Sequence, residues 1–142
     1  MELVQLPLQF DSSFILSESQ HGSYLQSVGG GHPVHASLEL ALLAGFTAIP
    51  VAGIHVMGGA MAAFTRQFER NPVQLISVSS RFLHPVYPDD ELKLSMTLDQ
   101  ESQVATARHT TGVYAGHCAL ATGVKVLALQ CSIRVLPLKP RE

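Results

Sequence analysis

The stretch that decides the fold runs from Leu40 to Phe64, LALLAGFTAIPVAGIHVMGGAMAAF, 25 residues without a formal charge. On length alone it would cross a bilayer, since about 20 apolar residues suffice. Gly45, Pro50, Gly53 and His55 interrupt it, however, and no basic cluster anchors either end. The better reading is two helices around a turn, the second spanning roughly Ile54 to Glu69. That second helix is apolar on nearly every side, so something must wrap it. A curled sheet would do so.

The second half of the chain supplies strands. Val73–Phe82 (VQLISVSSRF), Glu91–Leu98 (ELKLSMTL), Gln103–Thr111 (QVATARHTT) and Lys125–Leu136 (KVLALQCSIRVL) alternate or are rich in β-branched residues, with Pro, Gly and Asp between them. Val4–Phe10 adds a fifth, and Ala119–Val124 either adds another or extends the last one. Strand, short helix, loop, long helix and a run of antiparallel strands make an α+β layout, one helix packed on one sheet. No repeat, low-complexity tract or linker divides it, so residues 1–142 are read as a single domain.

Composition narrows the function classes. Nine Lys and Arg against eleven Asp and Glu give a net charge of −2, and the basic residues never cluster, which argues against a nucleic-acid partner. Charged residues are 14% of the chain, where about a quarter is usual, so a lone subunit would be short of surface charge. A homo-oligomer, most simply a homodimer, follows as an expectation. Cys118 and Cys131 lie in strand-like stretches without metal-ligand spacing and are read as small apolar residues in a reducing compartment. The opening MELVQLPLQFD lacks the basic start and apolar core of a signal peptide. The expected location is cytoplasmic, with no membrane partner.

A family resemblance emerges from several short motifs in order. Ser17–Gly29 is similar to a helix that, in the MaoC-like dehydratases, runs into an Asp-x-Asn-Pro-x-His loop; here that loop reads GGHPVH, Gly30–His35. LLAGF (Leu42–Phe46) resembles the family's Ala-Gly-Phe helix end, and PVAGIH (Pro50–His55) its Pro-Ile-x-His-Gly-Met turn. RFLHPVYPDDEL (Arg81–Leu92) resembles Arg-Phe-x-x-Pro-Val-x-Pro-Gly-Asp-x-Leu. The resemblance implies a hot-dog fold and hydration or dehydration of an acyl thioester carried on coenzyme A or an acyl carrier protein. No cofactor is expected, and no metal site either, since His32 and His35 lack a third ligand of suitable type.

The departures bear on the chemistry. The resemblance makes His35 the acid/base, but Gly30 stands where the family has its catalytic Asp, and His32 where it has Asn. The His of the later turn is also replaced, with Ala52, Gly53 and Ile54 in its place. What survives is an imidazole able to move protons near neutral pH. Backbone amides at Gly53 and Ile54 also survive, unpaired and at the positive end of the long helix, where they suit a developing oxyanion. His32 is a second candidate acid/base or a solvent-facing loop residue. Gly30, Phe46, His55 and Met57 are candidate substrate contacts, with core packing the alternative for His55 and Met57.

Other residues carry less. Glu39, Asp89, Asp90 and Asp11 are the carboxylates considered as stand-ins; the spacing of Asp89 and Asp90 suits a turn. His84, His109 and His117 are read as surface or interface residues. Gly29–Gly31 lacks the Lys-Ser/Thr of a phosphate loop, and no serine sits in a Gly-x-Ser-x-Gly elbow. The expectation is thus a hydratase or dehydratase, a lyase of fatty-acid or polyketide type. Loss of the Asp keeps two alternatives open: a changed reaction (thioesterase, isomerase or another lyase), or a non-catalytic acyl-binding subunit.

Overall fold

A computed structural model describes residues 3–68 and 70–138. Strands β1 (Gln9–Ile15), β2 (Val73–Phe82), β3 (Glu91–Ala105), β4 (Thr110–Leu120) and β5 (Lys125–Val135) form one antiparallel sheet in the order β1-β3-β4-β5-β2. Helices α1 (Glu18–Ser27), α2 (Leu38–Leu43) and α3 (Gly53–Thr65) all fall between β1 and β2. Helix α3 touches both β1 and β2, the opposite edges of the sheet. A straight rod reaches both edges only if the sheet curls around it.

Alternation builds the inner face. Leu92, Leu94, Met96 and Leu98 of β3 are buried, as are Leu127, Leu129, Cys131, Ile133 and Val135 of β5. Against them α3 turns Val56, Ala60, Met61, Ala63 and Phe64. The wrapping is incomplete: Ile54, Gly58 and Ala62, four residues apart and so on one face, stay exposed. The expectation of a helix covered on nearly every side is corrected to one with an open stripe. The helix also ends at Thr65, followed by a 3₁₀ turn at Arg66–Phe68, and Glu69 lies outside the described residues.

Three stretches read as strands differ from expectation. The first strand is Gln9–Ile15 rather than Val4–Phe10; Leu6 is buried, but its neighbours form an extended lead-in that gives Leu8 O to Leu98 N. Gln103–Thr111 is not one strand: it holds the end of β3, a turn at residues 106–109 and the start of β4. Ala119–Val124 is the end of β4 and the turn after it. Both cysteines are free and buried, and burial pushes the Cys118 thiol up to about 12 and Cys131 to about 11, so both stay protonated. Among the described residues no helix is long and apolar enough to cross a membrane.

Candidate functional site

The three helices begin differently, and that difference places the site. Ser17 caps α1 in a reciprocal pair with Gln20, at 3.1 and 2.9 Å, and Ser37 caps α2 through Leu40 N–H at 3.3 Å. Helix α3 has Ala52 at its cap and no side-chain acceptor there. The Gly53 and Ile54 N–H groups find no acceptor among the described residues. Unsatisfied amides at a helix start are a ready site for a partly negative oxygen.

Those amides border a cavity of about 460 Å³, within the usual range for small-molecule sites. Its walls are mainly apolar, from Phe46, Val51, Val56, Phe82 and Val86, with two imidazoles, His35 and His84. No carboxylate lines it. Two hydrogen bonds hold the wall: Val51 N–H donates to Val86 O at 2.7 Å, and Thr47 N–H to the Tyr87 side-chain hydroxyl at 3.1 Å.

The tautomers follow from the partners. His35 Nδ1 lies 2.9 Å from Pro50 O; a carbonyl only accepts, so Nδ1 carries the proton and neutral His35 has its lone pair on Nε2. His84 makes the same kind of bond, Nδ1–H to Pro85 O at 2.8 Å. His32 is the reverse: its Nδ1 accepts Val34 N–H at 3.1 Å and caps the 3₁₀ turn Pro33–His35. With that lone pair occupied and the residue exposed, His32 is a cap here rather than part of the cavity wall.

The expected site residues therefore divide. His35, Phe46, Gly53 and Ile54 meet at the cavity, whereas Gly30, His32, His55 and Met57 do not line it. Gly30 sits in an exposed loop in which Gly29, Gly30 and Gly31 have φ of 81°, 103° and 63°. Met57 is half-buried, its sulfur accepting the Ser80 hydroxyl at 3.3 Å. His55 stacks on Tyr24 (4.5 Å between centroids) and on His21 (5.7 Å), with its Nδ1 buried and unpartnered. Burial lowers the pKa of His55 below its usual value. None of the candidate replacement carboxylates, Glu39, Asp89, Asp90 and Asp11, lines the cavity; Asp11 accepts the Ser95 hydroxyl, and Asp90 accepts Tyr87 N–H within the turn where Asp89 takes a φ of 69°.

Two residues were not visible as site candidates. His84, read from sequence as a surface or interface residue, lines the cavity. His21 had no assigned role, yet it is 4% exposed, its Nε2 accepts Ala52 N–H at 3.2 Å, and its ring meets His35 edge-on at 6.2 Å. Among the described residues no three His, Cys, Asp or Glu side chains are grouped to hold a metal ion.

A five-stranded antiparallel sheet curled around one apolar helix, with the open site at that helix's N-terminus, defines a hot-dog protein. Its sequence matches the MaoC-like domain over residues 7–119, and the chain belongs to that family. It is 33% identical over 84 residues to the peroxisomal multifunctional enzyme type 2 of Drosophila melanogaster, spanning 58% of this chain and 14% of that much longer protein. Among solved structures, the (R)-hydratase of A. caviae involved in PHA biosynthesis superposes with a TM-score of 0.75 at 14% identity, covering 96% of this chain and 98% of that one. The HadBC (3R-hydroxyacyl-ACP dehydratase) complex of Mycobacterium tuberculosis gives 0.72 at 19% identity, covering 89% and 93%. At such identities these likenesses show the shared fold.

Proposed function

We propose that the protein adds water to, or removes it from, the α,β bond of an acyl thioester on coenzyme A or an acyl carrier protein. The observation that carries this reading is the His35–Pro50 bond: it brings a proton-carrying imidazole to the same turn that delivers the uncapped amides of Gly53 and Ile54. In hydration, water oxygen bonds the β-carbon while His35 Nε2 takes its proton. The electron pair of the double bond moves toward the carbonyl, whose oxygen the two amides stabilise. Imidazolium then returns the proton to the α-carbon, and the enzyme ends as it began. Phe46 and the other apolar walls take the acyl chain.

The carboxylate missing at Gly30 leaves the water without its second partner. His84, with Nδ1 committed to Pro85 O and its lone pair on Nε2, is the cavity's other proton acceptor, and we assign it to holding that water. His32 is left out because its lone pair caps a turn. The family and the relatives' names support this reading, as does the cavity's size. The absence of a cavity carboxylate favours a second reading, an acyl-binding subunit that does not itself turn over. In either case a second copy docks along β2, an edge strand that exposes Leu75 and Ile76. Pairing there extends the sheet and covers apolar surface.

The test is water addition to short and medium trans-2-enoyl-CoA, comparing wild type with His35→Asn. Asparagine retains an N–H near the Nδ1 position for Pro50 O but cannot carry a proton. The expected loss in kcat is about 10² to 10⁴ in a protein that still folds. Equal rates would remove His35 from the chemistry, and tight thioester binding without turnover would favour the acyl-binding reading.

A further inference from the structure

The turn that feeds α3 is gripped by two imidazoles. His35 donates through Nδ1 to Pro50 O at 2.9 Å, and two residues on, Ala52 N–H donates to His21 Nε2 at 3.2 Å. The next amide in the chain is Gly53, the first of the two assigned to the thioester oxygen. Ala52 is also the residue without a capping side chain, so nothing of its own fixes the helix entrance. The fixing group comes instead from α1, 31 residues earlier.

We propose that His21 is a positioning residue of the active site: by accepting Ala52 N–H it holds the turn that aims the Gly53 and Ile54 amides at the thioester carbonyl, and so sets the rate of turnover more than the affinity for substrate. The proposal rests on the reading of those amides as the oxyanion site. His21 and Thr110 are the buried polar residues among the described side chains. Burying an imidazole is costly unless it is hydrogen-bonded, and this one's bond goes to the site's own backbone. Oxyanion stabilisation depends steeply on geometry, with a misplacement of about 1 Å costing roughly 10²-fold.

The grip works only while His21 is neutral. With Nε2 accepting, the neutral ring carries its proton on Nδ1; a second proton would set N–H against N–H. The titratable groups facing it are His55 from α3, stacked at 5.7 Å, and His35 from the 3₁₀ turn, edge-on at 6.2 Å; Tyr24 of its own helix stacks on His55. No partner that would favour the charged ring is among them. Burial first, then His55 and His35, hold the His21 pKa below its usual 6.5, which keeps the acceptor available at neutral pH.

The test compares His21→Leu, which has no acceptor, with His21→Gln, whose side-chain oxygen can take Ala52 N–H. For His21→Leu the expected kcat falls about tenfold to a hundredfold, with KM on enoyl-CoA within about twofold. His21→Gln recovers most of the rate. An equal loss in both variants, or a loss confined to KM, overturns the proposal. Nitrogen-15 NMR of the wild-type imidazoles provides a second readout that does not depend on His21→Leu folding. An unprotonated His21 Nε2 at pH 7 is expected, and a protonated one overturns the grip whatever the activity. If the wild type hydrates no enoyl thioester while the NMR signature is present, the functional reading fails, and the rate-setting role fails with it.

Discussion

The two ends of α3 are built for opposite purposes. At its C-terminal end, Phe64 meets Phe10 at 5.2 Å, Tyr114 at 5.0 Å and Phe68 at 5.4 Å between ring centroids, each edge-on or nearly so. Phe64 and Tyr114 are fully buried, and the Tyr114 hydroxyl donates to Pro7 O at 2.6 Å. At its N-terminal end the same helix has no cap, an exposed Ile54 and an open cavity. Aromatic edge-to-face contact and full burial make the first end a stability anchor. The second leaves backbone amides unpaired, an arrangement that costs stability and suits a ligand. One helix does both because its far end is anchored by packing while its entrance is held from α1, through Ala52 N–H on His21 Nε2.

The largest effect expected from breaking this contrast is on Phe64. Phe64→Ala removes the ring at the centre of the anchor and should cost about 3 to 5 kcal/mol. At about 2 to 4 °C per kcal/mol for a domain near this size, thermal unfolding should shift down by roughly 6 to 20 °C. His35→Asn, at the other end, should move the midpoint far less, because that side chain is half-buried and its bond to Pro50 is kept. Equal shifts for the two variants, read by calorimetry, would show that the ends are not divided as described.

Much of this division can be read in the sequence, and the parts that cannot share a physical reason. The long uncharged run, its turn at Pro50 and the alternation in β2, β3 and β5 are local patterns, and they identify the helix and most of the sheet. The first strand was displaced because QFDSSFI mixes polar residues with apolar ones, whereas the lead-in before it looks more strand-like. The break between β3 and β4 carries no Gly or Pro: Thr106 closes it, with its N–H and hydroxyl both bonded to His109 O. His35 and Gly53 were legible through motif order. His21 was not, because it sits in a polar helix, ESQHGSYLQS, whose other residues are mostly exposed, and its partner lies 31 residues away. His84 preceding a proline likewise gives no local sign of the wall it joins.

A smaller effect sharpens the comparison at the site end. Restoring the family's acid by Gly30→Asp looks from sequence like a repair. The backbone says otherwise, since φ of 103° is glycine's territory and lies beyond the left-handed region that Asp tolerates. A Cβ there meets nothing within 4 Å, so no packing compensates the strain. The variant should lose about 1 to 2 kcal/mol and gain no hydration activity. A clear rise in kcat would mean that the loop adopts another conformation when it holds a carboxylate.

The smallest effect, and the most local, is that of acid. His21 and His55 both have pKa values held below the usual 6.5, in each case first by burial. The unfolded chain therefore takes up protons on these two rings that the folded chain resists. Stability rises with pH wherever the unfolded state binds more protons. The contribution of these rings is thus fully present above about pH 6.5 and is lost as pH falls through their lowered folded values. The rings packed at the aromatic end add no titration in this range: the Tyr114 hydroxyl is pushed upward by burial, away from it. Amide hydrogen exchange, corrected for its intrinsic pH dependence, should show protection at Ala52 falling as pH is lowered from 7 through the depressed His21 value. Protection around Phe64 and Tyr114 should hold over the same interval. Loss of protection at both ends together would mean that acid unfolds the whole domain at once, and the site end would then have no separate sensitivity.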